Sequence, residues 1–453
     1  MKTFSLSVGI DLARRSKHMA VFAPNPLSVP HKTKRTLSFC HDVEGFEALF
    51  DNIRHILGTD DLKHVSLVME PTGNAWCDVA NYFIPKGASA FFVRTDVISA
   101  LRKAQSRFAK TDRIDARTLA SMPWTLPERL IPILIGQGAQ RILRELSTQR
   151  FRIVQECTRW KNRLLSHLEI VWQPLLVQLP KAVSLSKSIL LFWEKFPHPQ
   201  DLVSYGAKRF HRWFEQHAHA GLSKKTEETI LCFAAKAANL RLQVGTVVSE
   251  QGFMGLTIPH MLKMIRLLED ELTLVETWIT QARKDVPECD ILDEIPGVGP
   301  VVCVSLATTL MPIERFDNIK KCAAYTGFIS RKKASAGHEI QGMRITKTGN
   351  RRLKRDLALA ADCAMRRDPL LAAFAIRLLA AGKHYNQVRV AVGRKLATYA
   401  YSLLKRVSRG EKNVHYEYRD VSGNVISKEE ARKLAETLWQ KSERKTKKRK
   451  SAA

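Results

Sequence analysis

The sequence predicts an α/β domain at the N-terminus, a helical middle and a mostly helical C-terminal domain. Strand-like and helical patterns of apolar residues alternate within about the first 120 residues. Long apolar stripes at helical spacing then fill 141–172 and 259–284. A stretch rich in Pro and Gly at 286–300 comes before the last helical region. A chain of 453 residues has the length of two or three domains.

The N-terminal elements follow one another in a readable order. Three runs with the two-residue apolar alternation of strands come first, and helical and strand-like segments then take turns. The predicted strands are 5–11, 18–23, 35–39, 65–70 and 88–93, and the predicted helices are 43–56, 74–82 and a helical region across 96–121. The order βββαβαβα is that of a ribonuclease-H-like domain.

The helical middle carries two long stripes with charged flanks. This pattern slightly favours a coiled coil in which 141–172 and 259–284 pair, over two ordinary helices with core-facing sides. Near the C-terminus, a hairpin that turns at 422–424 and a helix capped by Ser427 are predicted, followed by a solvated basic run. The predicted domains are 1–125, 126–285, 286–412 and 413–453.

The charge balance indicates a polyanionic partner. The chain has 73 Lys and Arg against 44 Asp and Glu, a net charge of +29 and a pI near 10.0. Nucleic acid is the leading candidate, although an anionic membrane surface or a ribosome would also suit the charge. No apolar run is long enough to cross a membrane, and the first residues do not resemble a secretory signal. We therefore expect a cytoplasmic protein whose eight scattered cysteines are reduced.

Four carboxylates are predicted to form a metal site. Asp11 and Glu70 each end a predicted strand that is otherwise apolar, where an unused acid would be costly. Asp112 and Asp115 are three residues apart, which puts them on one face of a helix. Hard oxygen ligands on rigid elements are what divalent cations need for phosphodiester chemistry. Each acid alone is more often an ordinary surface charge, so the prediction depends on the four together.

Two features in the C-terminal region point to phosphate binding. The turn at 295–300 is helix–hairpin–helix-like, and Gly297 and Gly299 would let backbone N–H groups approach a DNA phosphate. A tight turn between helices without a ligand is an equally good interpretation. The segment 331–357 holds nine basic residues against two acids. Its candidate phosphate contacts are Arg331, Lys332, Lys333, Arg344, Lys347, Arg351 and Arg352.

Ordered motifs across about two-thirds of the chain resemble the IS110 family of insertion-sequence transposases. They are GID at 9–11, MEPTG at 69–73, KTDRIDA at 110–116, IPGVGP at 295–300, AAYTGF at 323–328, Ser335 with Gly337, and ITKTGNRRLKRDL at 345–357. The resemblance implies a RuvC-like domain whose carboxylates, here Asp11, Glu70, Asp112 and Asp115, bind Mg²⁺ (or Mn²⁺). It also implies a C-terminal serine domain in which Ser335 is the nucleophile.

The same resemblance implies the partners. They are donor and target DNA, a structured guide RNA from the ends of the element, and further copies of the chain in a dimer or tetramer. In such an assembly, the carboxylates of one protomer would meet the serine of another. The helical middle is then the expected assembly surface.

Three alternatives stay open on the sequence. Ser330 is the second candidate for the nucleophile, because it stands where the family commonly has a proline and the register could slip. The chain could instead be a metal-dependent nuclease or junction resolvase that hydrolyses DNA without a covalent intermediate. It could also be an inactive nucleic-acid-binding regulator, although a pure binder gains nothing from clustering four acids.

Overall fold

The computed structural model describes most of the chain. The described residues are 4–13, 15–26, 35–71, 73–105, 111–133, 138–178, 186–217, 224–245, 247–329, 334–335, 338–339, 345–346 and 349–451. The chain forms two compact units, Met1–Arg141 and Ile142–Ala453. No helix in these ranges is long and apolar enough to cross a membrane.

The first unit is a six-stranded mixed sheet with four helices. Its elements are β1 (Leu6–Asp11), β2 (His18–Pro24), β3 (Thr36–Phe39), α1 (Val43–Leu57), β4 (Val65–Met69), α2 (Trp76–Phe83), β5 (Ser89–Phe92), α3 (Thr95–Gln105), α4 (Asp112–Thr125) and β6 (Ile131–Pro132). The strand order is β3-β2-β1-β4-β5-β6. Strands β1, β4 and β5 are parallel, whereas β2, β3 and β6 pair antiparallel to their neighbours.

Different helices pack on the two faces of this sheet. On one face, Val8, Ile10 and Leu67 pack in a cluster with apolar residues of α1 and α2. On the other face, Val68 packs with Leu119 of α4. Successive side chains of a strand point to opposite faces, so buried strands with helices on both sides read as nearly continuous apolar runs.

The predicted order of elements is present in the first unit. Strand β6 is the addition, and the sequence did not signal it because it has only two residues and no alternation. Strand β6 pairs with β5 and so belongs to the sheet, and the first compact unit ends at Arg141.

The second unit is almost entirely helical. Its elements are α5 (Ala139–Gln178), α6 (Lys187–Lys195), α7 (Pro199–Tyr205), α8 (Ala207–His217), α9 (Lys224–Gln243), α10 (Val247–Ala282), α11 (Glu288–Asp293), α12 (Pro300–Leu310), α13 (Ile319–Tyr325), β7 (Ala334–Ser335), β8 (His338–Glu339), α14 (Arg351–Ala364), α15 (Pro369–Ala380), α16 (Tyr385–Ser408) and α17 (Lys428–Ser451).

Helices α5 and α10 run antiparallel beside each other. Arg150 pairs with Glu276 at 2.7 Å, and Lys161 pairs with Glu269 at 2.6 Å. The apolar residues of both helices also share a core with α6, including the buried Trp193. The two sequence stripes therefore lie against each other, but within a helical bundle rather than as an isolated pair.

The end of the chain is more helical than the sequence suggested. Ser427 begins α17 with a reciprocal cap: Glu430 N–H donates to Ser427 Oγ at 3.2 Å, and Ser427 N–H donates to Glu430 Oε2 at 2.9 Å. The basic run that we expected to be merely solvated belongs to α17, which continues to Ser451. Lys, Arg and Glu are good helix formers, so a capped start lets the helix propagate through them.

Candidate functional site

Two of the predicted metal ligands lie at the same edge of the sheet. Asp11 is the last residue of β1, and Glu70 directly follows the neighbouring parallel strand β4. The register pairs Ile10 with Met69, so Asp11 and Glu70 occupy the next positions on the two strands. The carboxyl ends of two adjacent parallel strands therefore bring these acids together in the fold.

Helix α4 packs on β1 through the closest approach that a glycine permits. A Cβ atom on Gly9 would lie 2.1 Å from the carbonyl oxygen of Ala116 and 2.2 Å from the amide nitrogen of Ala120. No side chain fits this space, so Gly9 lets the helix backbone rest on the strand. By the two-residue alternation of strands, Asp11 belongs to the same face as Gly9, and Glu70 to the same face as Val68.

The other two predicted ligands are on the first turn of this helix. Thr111 caps α4, because its Oγ1 accepts a hydrogen bond from Ile114 N–H at 3.2 Å. Asp112 and Asp115 follow in the first turn, directly before Ala116. The contact between Gly9 and Ala116 therefore brings the acidic turn to the side of the sheet where Asp11 and Glu70 end.

Asp115 already has a cationic partner. Arg102 of α3 donates from one terminal nitrogen to both carboxylate oxygens, at 2.8 and 3.1 Å. The two side chains are 19% and 14% exposed, so this ion pair is largely shielded from water. Arg102 was not predicted from the sequence, because an arginine on a helix has no signature until its partner is known.

The four acids fit a hard cation by their chemistry, since carboxylate oxygens are the ligands that Mg²⁺ prefers. Their spacing is more open than a closed metal site. Within the described ranges, no group of three or more His, Cys, Asp or Glu side chains is close enough to hold a metal ion. The four acids therefore supply oxygen ligands at one edge of the sheet. In this structure the guanidinium of Arg102, and not a metal ion, pairs with Asp115.

A chain of hydrogen bonds supports the backbone just after Asp11. Ala13 N–H donates to His18 Nδ1 at 3.1 Å, His18 Nε2 lies 2.9 Å from His41 Nδ1, and His41 Nε2 lies 3.0 Å from Asp78 Oδ2. Because a backbone N–H can only donate, His18 Nδ1 must accept, so the proton of His18 is on Nε2. His18 Nε2–H then donates to His41 Nδ1, and His41 Nε2–H donates to the carboxylate of Asp78.

This series of hydrogen bonds predicts that the stability of the first unit depends on pH. Burial, and then the neighbouring His41, lower the pKa of His18 below its usual 6.5. Below that pH the unfolded state takes up a proton that the folded state resists, so stability falls as pH drops, by at most about 1.4 kcal/mol per pH unit. We expect the protection of amides in 4–26 against deuterium exchange, corrected for the intrinsic rate at each pH, to be lower near pH 5 than at pH 7.

The matched variant is His18→Asn, whose side-chain oxygen can still accept from Ala13 N–H but does not titrate. We expect this variant to show a flatter dependence on pH, whereas His18→Leu should open the turn at every pH. Equal pH dependence in the unaltered chain and His18→Asn would show that His18 is not the responsible group.

The predicted nucleophile lies on a small hairpin in the second unit. Ser335 ends β7 and is paired with His338 of β8. The base of the hairpin is closed by Thr346 N–H, which donates to the carbonyl of Ile329 at 3.0 Å. The described residues therefore place the backbone of Ser335 at the end of β7, paired with β8. The other predicted residues Ser330, Arg331, Lys332, Lys333, Arg344 and Lys347 lie outside the described residues.

The remaining basic candidates begin helix α14, and the structure gives them different surroundings. Arg351 is exposed in the first turn. Arg352 is partly buried, and its guanidinium donates to Thr148 Oγ1 at 3.1 Å and to Thr308 Oγ1 at 3.4 Å. Asn350 caps the helix by accepting from two backbone N–H groups.

The glycine-rich turn has one packed glycine and one open glycine. Gly297 has a φ of +77°, and a Cβ there would lie 2.3 Å from the carbonyl oxygen of Ala360 in α14. Gly299 caps α12, and a Cβ there would meet nothing within 4 Å. The close approach of the turn to α14 accounts for Gly297, while Gly299 leaves the start of α12 open.

Comparison with known proteins identifies related sequences for both units. Residues 8–173 match a family of transposases, and residues 289–375 match the transposase IS116/IS110/IS902 family. An uncharacterised 43.6 kDa protein of insertion element IS110 from Streptomyces coelicolor is 22% identical over 297 residues, which cover 66% of this chain and 71% of that protein.

Proteins named for DNA inversion are also similar. The pilin gene-inverting proteins of Moraxella lacunata and Moraxella bovis are each 26% identical over 156 residues, which cover 33% of this chain and 48% of those proteins. The matched segments include the β1 and α4 carboxylates at one end of the chain and the basic α14 at the other. The chain therefore belongs to the IS110 family of transposases and is an enzyme that acts on DNA.

Proposed function

We propose that this enzyme cuts and rejoins DNA through a serine nucleophile, Ser335, assisted by divalent cations at Asp11, Glu70, Asp112 and Asp115. We further propose that a structured guide RNA directs it to donor and target DNA, and that 1–125, 126–285, 286–412 and 413–453 are its functional domains. The strand order β3-β2-β1-β4-β5, with β2 antiparallel to β1, supports a ribonuclease-H-like fold for the first domain.

The observation that carries this proposal is the contact between Gly9 and α4. It brings the acidic first turn of the helix to the strand ends that bear Asp11 and Glu70. A binding protein with a net charge of +29 has no use for four acids at one edge. A phosphoryl-transfer enzyme does, because bound Mg²⁺ or Mn²⁺ would stabilise negative charge on the phosphoryl oxygens.

The protein's own residues would act in a simple sequence. Basic side chains bind the DNA backbone and orient one phosphate beside the hairpin. Ser335 Oγ then loses its proton and attacks the phosphorus, so that a Ser–O–P bond forms while the bond to one bridging DNA oxygen breaks. Attack by the DNA hydroxyl of another strand reverses this step and frees the serine. The number of phosphodiester bonds is thereby conserved, and no external energy source is needed.

A covalent adduct tests the proposal directly. The chain, purified with its bound RNA, is mixed with Mg²⁺ and end-labelled DNA spanning the element junction, and the products are resolved under denaturing conditions. We expect a labelled protein–DNA adduct. Cleavage without an adduct would support the second candidate, a nuclease or resolvase in which the carboxylates activate water. No cleavage and no adduct with any substrate would favour a regulator.

Helix α10 supports the proposed homo-oligomer. Along one side of this helix, exposed residues repeat at alternating spacings of three and four, as in a coiled-coil seam, and two of them, Phe253 and His260, also contact the rings of His167 and Trp160 in α5. The residues of this exposed seam are Phe253, Leu256, His260, Lys263, Leu267, Asp270 and Leu274. Leu256 is 77% exposed and Leu267 is 54% exposed. Apolar residues in such a row commonly mark an interaction surface.

The charges in the exposed seam favour an antiparallel pair with a second copy. In one antiparallel register, Leu274 meets Leu256 of the second copy, and His260 meets Asp270. A parallel in-register pair would instead place Lys263 against Lys263 and Asp270 against Asp270, and like charges directly opposite are destabilising. The antiparallel register is also two-fold symmetric, because each pair of contacts occurs twice across the interface.

Sedimentation measurements would test this assembly surface. We expect the unaltered chain to sediment as a dimer or larger species, and Leu256→Glu with Leu274→Glu to shift it to a monomer without loss of thermal stability. The matched control is Leu240→Glu with Leu242→Glu on α9, two exposed leucines outside the seam. Dissociation by the control pair alone would place the interface elsewhere.

A further inference from the structure

Three arginines from separate parts of the second unit meet at the C-terminal end of α12. Arg144 of α5 donates to the carbonyl of Thr308 from Nε at 3.0 Å and from a terminal nitrogen at 2.8 Å. Arg315 donates to the carbonyl of Thr309. Arg352 of α14 donates to Thr308 Oγ1 at 3.4 Å. We call Arg144, Arg315 and Arg352 the arginine cluster.

The positive charge of the arginine cluster exceeds what its surroundings neutralise. The end of a helix supplies about half a negative charge, which one guanidinium balances. Two acids act on the cluster: Asp356 is buried and already accepts from Arg355 and from Ser305, and Glu145 is exposed to water. Burial, and then Arg315, lower the pKa of Arg144; burial and Arg144 also lower the pKa of Arg352. Repulsion between like charges that water screens poorly is costly unless an anion offsets it.

Unused polar atoms surround the same place. Within the described part of the second unit, Arg315 Nε, Arg352 Nε and Thr309 Oγ1 are buried and have no hydrogen-bond partner. Each of these atoms can donate a hydrogen bond. Buried donors without partners are rare, and several at one location indicate an acceptor that the protein itself does not supply.

The arginine cluster also lies beside the hairpin that carries Ser335. The guanidinium of Arg315 stacks on the Tyr325 ring, 4.5 Å from its centre. Tyr325 ends α13, ahead of the hairpin in the chain, and its carbonyl oxygen would be 3.2 Å from a Cβ on Gly349, which lies between the hairpin and α14. A group bound at the cluster would therefore lie close to residues that flank the hairpin on both sides.

We propose that the arginine cluster binds one phosphodiester group of a nucleic-acid backbone and anchors it at the base of the serine hairpin. Phosphate oxygens accept the forked donors of several guanidinium groups at once, which suits three arginines better than a single carboxylate. The inference rests on the proposed function, because DNA is the substrate of that reaction. It adds Arg144 and Arg315 to the residues that contact the backbone.

The salt dependence of DNA binding tests the inference. The full chain, freed of bound nucleic acid at high salt, is titrated with a fluorescently labelled mixed-sequence duplex at several salt concentrations. We expect Arg315→Gln and Arg352→Gln each to weaken binding roughly tenfold. The double variant should lower the slope of log Kd against log salt by about one and not two, because both residues hold the same phosphate. The matched control is Arg406→Gln, an exposed arginine on α16 paired with Glu411.

Thermal unfolding separates this role from a structural one. A cluster that only caps α12 would give variants with a lower melting temperature and an unchanged salt slope, which would overturn the inference. If the double variant does not fold, Arg315→Lys with Arg352→Lys keeps both charges and loses the forked donors. That variant should bind several-fold more weakly with an unchanged slope; unchanged affinity would overturn the inference.

The test also distinguishes the inference from the proposed function. If the double variant shows an unchanged salt slope and still forms the covalent adduct, only the phosphate-binding role of the arginine cluster is overturned. A chain that binds no DNA would overturn both.

Discussion

Ser335→Ala is expected to abolish the covalent protein–DNA adduct and recombination, by at least about a thousandfold. Alanine removes the oxygen that forms the bond to phosphorus and leaves a side chain of similar size. Ser335 ends the two-residue strand β7, and alanine is compatible with the backbone of a strand, so we expect the substitution to keep the fold. Gel analysis of end-labelled junction DNA measures the adduct, and DNA binding should be unchanged.

Ser330→Ala is the matched control, since it changes the same kind of residue in the same basic segment. We expect this variant to keep measurable recombination. An adduct that survives Ser335→Ala but disappears in Ser330→Ala would assign the nucleophile to Ser330. If the adduct persists in both variants, neither serine is the nucleophile and the proposed serine mechanism is wrong.

Asp11→Asn is expected to abolish both cleavage and adduct formation while DNA binding is kept or slightly strengthened. Asparagine preserves the shape at the end of β1 but removes the negative charge that a divalent cation needs. Removal of one acid from the protein side of a DNA interface also lowers repulsion with phosphates. Chelation of divalent cations should have the same effect on the unaltered chain, and added Mg²⁺ or Mn²⁺ should restore activity.

Asp60→Asn serves as the control, because Asp60 is an exposed acid after α1 and distant in sequence from the strand ends. Its activity should match that of the unaltered chain. The combination of variants also separates the two mechanisms. Cleavage that survives Ser335→Ala but not Asp11→Asn would indicate a hydrolytic nuclease, whereas activity in Asp11→Asn would exclude the carboxylate site.

Arg102 gives this metal site a structural condition. Asp115 is paired with Arg102, so it would have to exchange this guanidinium for a divalent metal ion in order to join the metal site. That exchange would leave the largely buried guanidinium of Arg102 without its carboxylate, which is costly unless Arg102 finds another partner or moves into water. The proposal that Asp115 binds metal therefore includes a small rearrangement of α3 against α4.

Much of the first unit was determined by the sequence itself. Apolar alternation placed β1 to β5 and their helices within a few residues, because a strand between two helical layers cannot carry polar residues. The same rule made Asp11 and Glu70 conspicuous, since each is the first acid after a buried run. The cap at Ser427, at the start of α17, was likewise predicted from the sequence, because a capping box depends only on residues three apart.

Only the tertiary structure decided which distant residues share a site. Gly9 is an ordinary strand glycine until α4 rests on it, and the pairs between Arg102 and Asp115 and between His18 and His41 depend on separate elements meeting in space. The arginine cluster joins positions from α5, from the end of α12 and from α14. Sequence periodicity reports local geometry and burial, whereas such contacts arise from packing between elements far apart in the chain, for which one sequence holds no local signal.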